Sequence, residues 1–181
     1  MKKTPSSEHL ILGALMSGHK HGYEILQFIN STLISAWRVS NSQLYTLLKR
    51  LENKGLLESK LEFQETRPSK RVFFLTEKGR GSFNEWLHKS VLRGRDFRLE
   101  FIAKLFFFYD LQIKGALELI DLQIRVLEDL KTKLVNQKVL ESNPFNALVL
   151  GFKIKNIENL LSWLSDYAKP FVESGVKNGV N

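Results

Sequence analysis

Leu44, Leu47, Leu48 and Leu51 recur at i, i+3, i+4 and i+7, the spacing that draws one apolar stripe along a helix. Ser40 and Gln43 stand ahead of the stripe in capping-box spacing and Gly55 follows where a left-handed stop belongs, so SNSQLYTLLKRLENKG, 40–55, is predicted helical. Upstream, 7–17 (SEHLILGALMS) predicts a helix capped by Ser6 or Ser7. A second helix is predicted over 21–34, carrying Tyr23, Ile25, Leu26, Phe28 and Ile29. Both are short and mostly apolar on one side, so each must pack on neighbours. Downstream, Leu56 to Phe63 and Lys70 to Leu75 form two strand-like runs around the turn QETRPS. Thr76 then caps TEKGRGSFNEWL, with Phe83, Trp86 and Leu87 facing inward. Three helices, a hairpin and a closing helix make the order of a winged helix-turn-helix.

The second half is helical throughout. DFRLEFIAKLFFFYDL at 96–111 leads into a long helix over about 112–140. There Ile113, Leu117, Ile120, Ile124, Leu127 and Leu134 step by fours and threes, with Lys131 in the skipped place, a heptad seam that wants a partner helix. With Phe101, Leu105 and Phe108 of the preceding helix, these residues are the candidates for dimerisation. The last helix opens at Asn143 with Pro144 in its first position and ends near Pro170. The expected fold class is mainly α: a winged helix-turn-helix DNA-binding domain with a two-stranded wing over 1–90, an all-α dimerisation domain with long helices over 91–173, and a flexible tail over 174–181.

Composition narrows the function. The 181 residues include no cysteine, which removes disulfides and thiolate metal sites and suits a reducing cytoplasm. No run reaches the roughly 20 apolar residues of a membrane span, so no membrane partner is expected. The net charge of +8 is uneven: residues 1–90 carry 14 Lys and Arg against 8 Asp and Glu, and residues 91–181 carry 13 against 11. The first half is therefore the candidate for meeting a polyanion, double-stranded DNA ahead of other surfaces.

A helix fits the major groove, and a basic hairpin beside it can rest on flanking phosphates. Ser40, Ser42, Gln43, Tyr45, Thr46, Lys49 and Arg50 line the polar face of the 40–55 helix, and Arg67, Lys70 and Arg71 crowd the hairpin tip and return strand. Gln43 is the candidate for reading an adenine edge, while Tyr45 and the cations suit phosphate. The competing reading is a solvated helix face. Replacing Arg67 and Arg71 by Ala is expected to weaken binding and flatten its salt dependence. His19 and His21 lack a third ligand nearby, so no metal or other cofactor is expected. Asp110, Asp121, Glu128 and Asp129 lie among lysines on amphipathic helices, where ion pairing explains them better than acid–base catalysis. With no phosphate-cradling glycine loop and no nucleophile elbow, an enzyme is not expected. Phe107 and Trp163 are candidate walls for a flat apolar effector, core packing being the alternative.

HGYEI, Trp37 to Ser40, LYTLLKRLENKGLLES and VFFLTEKGR together resemble the PadR family of bacterial transcription regulators over the first 90 residues. LEFIAKLFFFYDL with the helix after it is similar to the C-terminal region of the family's longer members, and Trp37, Ser40, Gln43 and Tyr45 look closest to the virulence-activator branch. The resemblance implies a homodimer whose two winged helices bind an inverted-repeat operator, with recognition by Ser40 through Arg50. At Asn41, Ser42 and Thr46 the chain departs from the Pro and Gly of many relatives, which leaves the register of DNA contacts open.

Overall fold

In the computed structural model, which describes residues 5–18, 20–32, 39–63, 69–93 and 96–175, the chain divides into two compact units. One comprises Met1–Lys89 and Leu99–Ile113, the other Ser90–Arg98 and Lys114–Asn181. The division at position 90 read from the sequence thus acquires a return: Leu99 to Ile113 group with the first unit.

In the first unit, α1 (Pro5–Met16) starts on its proline, whose missing N–H is no loss in a first turn, and Ser6 and Ser7 lie inside the helix instead of capping it. Five consecutive residues, Leu10 to Ala14, are buried, so α1 is enclosed on all sides and not on one as its sequence suggested. α2 (Gly22–Thr32) buries Ile25 and Ile29, and α3 (Asn41–Asn53) buries Leu44, Leu48 and Leu51 as the leucine spacing predicts. β1 (Leu57–Glu62) and β2 (Lys70–Leu75) pair antiparallel, with Leu57 opposite Leu75 and Glu62 opposite Lys70. Along the other edge of β2 the α1–α2 loop adds one bridge, His21 to Val72, and the Phe73 N–H donates to the Lys20 carbonyl at 2.9 Å. A strand one bridge long has no alternation to betray it in a sequence. α4 (Glu77–Leu87) is capped by Thr76, whose Oγ1 accepts the Gly79 N–H at 3.1 Å.

Aromatic rings close this core. α5 (Ile102–Asp110), entered through a π-helical turn at Phe97–Phe101, sets Phe107 edge-on to Phe83 at 5.3 Å, with Phe28 and Trp86 each at 6.3 Å. Gly13 makes room for that ring: a Cβ there would stand 2.1 Å from it. Lys104 is fully buried beside this cluster, donating to the Lys89 carbonyl at 2.5 Å, pairing with Glu100 at 3.1 Å and lying over the Trp86 ring. Burial pushes its ammonium below the ordinary lysine value, and Glu100 opposes that shift. His9 stacks on Trp86 and His88 meets Phe108 edge-on, so both serve packing.

In the second unit, α6 (Ala116–Leu140) begins four residues later than its periodicity suggested, because Gln112 and Gly115 take positive φ of 51° and 115°. Ile113 therefore falls in a turn and not on the seam. Asn143 caps α7 (Pro144–Trp163) by accepting the N–H groups of Phe145 and Asn146. The helix does not stop at Pro170: a π-helical turn at Leu164–Ala168 carries it into α8 (Lys169–Glu173), with the Lys169 N–H reaching back five residues to Leu164. The widened turn lies just ahead of the residue that has no N–H to give. A three-residue connection folds α7 back along α6, and Ile120, Leu127, Ile154, Ile157 and Leu164 are buried. Gln123, buried as well, exchanges both amide bonds with the backbone of Val91 at 2.7 and 2.9 Å. Lys131, the break in the heptad seam, pairs with Glu158 of α7, and Asp121 with Lys169 of α8.

The seam's first partner is thus within the chain. Phe101, Phe108, Ile120 and Leu127, at most 3% exposed, are buried in a single protomer and offer little to a second. Leu105, Ile113, Leu117, Ile124 and Leu134 keep part of their surface. Phe107 is fully enclosed by its neighbours, as the core-packing alternative has it, whereas Trp163 is half-buried with Phe97 edge-on at 6.2 Å. No helix among the described residues is long and apolar enough to cross a membrane, and none of their carboxylates and histidines cluster as a metal site would.

Candidate nucleic-acid interface

The recognition-helix candidate is α3, and its start is built locally. Ser40 is extended at φ −77°, ψ 160°; its Oγ accepts the Gln43 N–H at 3.3 Å while its own N–H donates to Gln43 Oε1 at 3.0 Å. This capping box holds half of the Gln43 amide, so two-point adenine reading by Gln43 requires the box to open. Ser42 shares a hydrogen bond with the Ser40 hydroxyl, and the Thr46 hydroxyl donates back to the Ser42 carbonyl at 2.9 Å. Tyr45, 48% exposed, projects from the face with its hydroxyl beside Gly22, where a Cβ would come within 2.8 Å.

The cations of the face separate into two groups. Arg50 and Lys54 both reach Glu8 of α1, at 3.5 and 2.6 Å. Arg71 donates through Nε to Ser59 at 2.7 Å and pairs with Glu52 at 3.1 Å, while Ser59 itself donates to Glu52 at 2.6 Å. These bonds clamp α3 from both sides, to α1 through Glu8 and to the hairpin through Glu52. Arg50 and Arg71, expected to seek phosphate, are therefore engaged inside the fold. Lys49 and Lys70 have no ion-pair partner among the described residues; Lys70 lies over the Tyr23 ring at 5.7 Å. Arg67 and Trp37 lie outside the described residues, as does His19.

Sequence reading missed the loop that runs beside β2. Lys20 and Lys60 both lie over the Phe74 ring at 5.8 Å, and His21 stacks on Tyr23. Glu24 ties the loop down, accepting the N–H groups of Lys20 and His21 at 3.1 Å each and the Tyr23 hydroxyl at 3.1 Å. Desolvation works against its charge, yet those donors hold the Glu24 carboxyl below its ordinary value. Phe73, 2% exposed, pins the hairpin to the core as expected, with Leu75 half-buried below it. Two of the acidic residues on amphipathic helices have structural partners: Asp121 pairs with Lys169, and Asp110 accepts the Ser17 hydroxyl at 2.6 Å.

Residues 11–85 match the Transcriptional regulator PadR-like family. The negative transcriptional regulator PadR of Bacillus subtilis (strain 168) is 27% identical over 169 residues, which cover 87% of this chain and 92% of that protein. Among solved structures, B. subtilis PadR in complex with operator DNA is similar at 25% identity and a TM-score of 0.48, covering 90% of this chain and 96% of that one. The same protein in complex with p-coumaric acid is similar at 24% identity and a TM-score of 0.40, covering 88% and 91%. The matched stretch holds α2, α3, both strands, half of α1 and most of α4, so this winged-helix domain is similar to the PadR-like family, whose members are transcriptional regulators and not enzymes.

Proposed function

We propose that this regulator acts in the cytoplasm as a homodimer, placing two copies of α3 on an inverted-repeat operator. The observation that carries the DNA reading is the polar face of α3, opened by a capping box and presenting Ser42, Tyr45 and Lys49 to solvent beside a basic hairpin. Ser40, Gln43, Thr46 and Arg50 shape that face, Lys70 and Arg67 extend it, and Arg71 braces it. The dimer reading draws on apolar side chains that one chain leaves uncovered where α6 turns into α7. Val139, Leu140, Phe145, Leu148 and Phe152 are 67–85% exposed there, the last three at i, i+3 and i+7 on one face of α7. They supplement Leu117, Ile124 and Leu134 as the surface for a second copy. A flat apolar effector is proposed beside Trp163.

Selection from a random pool of duplex DNA at fixed salt tests the reading. Enrichment of an inverted repeat, with half-site centres one helical turn or a multiple of it apart, is the expected result. Uniform weak binding without a motif would instead favour a winged-helix adaptor that works through protein contacts.

A further inference from the structure

Along the outer face of the hairpin, the side away from Arg71, the residues fall into two rows. β1 contributes Glu58, Lys60 and Glu62, paired in register with Phe74, Val72 and Lys70. The opposite row comes from β2 and the loop bridged to it: Lys70 over the Tyr23 ring, and Lys20 reaching Phe74. Lys60 therefore stands between two exposed carboxylates. Beside Lys20 the nearby acid is Glu24, whose carboxylate is occupied by two backbone N–H groups and the Tyr23 hydroxyl, while Lys70 faces the single carboxylate of Glu62 across the ladder. None of Lys20, Lys60 and Lys70 has an ion-pair partner among the described residues, so what separates them is the number of carboxylates alongside.

The position of this row relative to α3 follows from helix spacing. Tyr45, Lys49 and Glu52, at i, i+4 and i+7, share one flank of α3. That flank meets the loop where Tyr45 abuts Gly22, between Lys20 and the Tyr23 ring over which Lys70 lies; its contact with the hairpin through Glu52 is to Arg71, on the opposite face. The loop row and Lys49 thus border the same side of the recognition helix.

We propose that Lys20 of the α1–α2 loop and Lys70 of β2, set around Tyr23, form a phosphate clamp for the DNA backbone flanking the base pairs under α3, and that Lys60 takes no part in it. The proposal rests on the DNA-binding reading above and adds to it the loop as a third element of the interface. Two glutamates flank Lys60 on its own strand and repel phosphate from it, whereas Lys70 faces only Glu62 and Lys20 only the already occupied Glu24, so these two lysines keep more of their charge for phosphate and for counterion release. The backbone bonds from the loop to β2 and Glu24 hold Lys20 in place before DNA arrives, which lowers the entropy lost on docking.

The test uses the full chain and one selected duplex, with affinity measured against salt for Lys20→Ala, Lys70→Ala and Lys60→Ala. Lys20→Ala and Lys70→Ala are each expected to lower the slope of log K against log salt by about 0.9 for the lost contact, with unchanged thermal unfolding, while Lys60→Ala keeps the parent slope. Parent-like slopes for Lys20→Ala and Lys70→Ala, or an equal loss for Lys60→Ala, would overturn the clamp and leave DNA binding intact. Failure of the unaltered chain to bind any duplex would overturn the DNA reading itself, and the clamp with it.

Discussion

Removing the Ser40 hydroxyl takes away one half of the α3 capping box and frees the Gln43 amide that forms the other. Ser40→Ala is expected to cost about 1 kcal/mol in denaturant unfolding. It should also change base preference at the position Gln43 approaches, because the freed amide can then make two bonds to one base. A repeat of the DNA selection with the variant checks this, and an identical motif would remove Gln43 from base reading. Gly13 is a second residue with a single physical reason. A methyl group there would stand 2.1 Å from the Phe107 ring, so Gly13→Ala is expected to destabilise by about 1–3 kcal/mol through overpacking, measured by thermal or urea unfolding. Phe107→Ala, which empties the centre of the same cluster, should cost about 3–5 kcal/mol.

Between elements, two ion-pair sites give opposite kinds of prediction. Arg71 links β2 to Ser59 and to Glu52 of α3, so its removal loosens the hairpin and takes no counterion-releasing contact from the DNA. Arg71→Ala is expected to weaken binding to all duplexes with an unchanged salt slope; a flatter slope would return Arg71 to the phosphate-contacting set. On the second unit, Lys155 and Lys131 hold the Glu158 carboxyl down at about 2, from an ordinary 4.5. A folded-state value below the unfolded one means that the stabilisation is present above 4.5 and is lost as pH falls toward about 2. Acid unfolding of Glu158→Gln should therefore lack part of the parent's loss of stability in that window. Because the site is exposed, the difference should shrink at high salt.

For the whole molecule, the decisive quantity is mass in solution. Light scattering is expected to give twice the chain mass of 20.9 kDa at micromolar concentration. Placing a charge on the uncovered face of α7, as in Leu148→Asp or Phe152→Asp, should return the mass toward one chain and weaken operator binding, because two half-sites then have to be held separately. An unchanged mass in both variants would move the interface away from the α6–α7 turn.

Local patterns settled what local physics controls. The leucine spacing, the Ser40 cap, the Gly55 stop, the Thr76 cap and the Pro144 start all depend on residues within a few positions of one another, and all stand in the structure where the sequence put them. The order of helices and hairpin, and with it the family resemblance, followed from those signals. Only the tertiary structure decided which cations remain available. Glu8 lies 42 residues before Arg50, and Glu52 lies 19 before Arg71, separations across which periodicity carries no information. The same holds for the single bridge that brings Lys20 to β2 and for α7 taking up the seam of α6, since a heptad pattern specifies an apolar face without naming the helix that covers it. Charge and apolar stripe are properties of a segment, whereas their partners are properties of the packed chain.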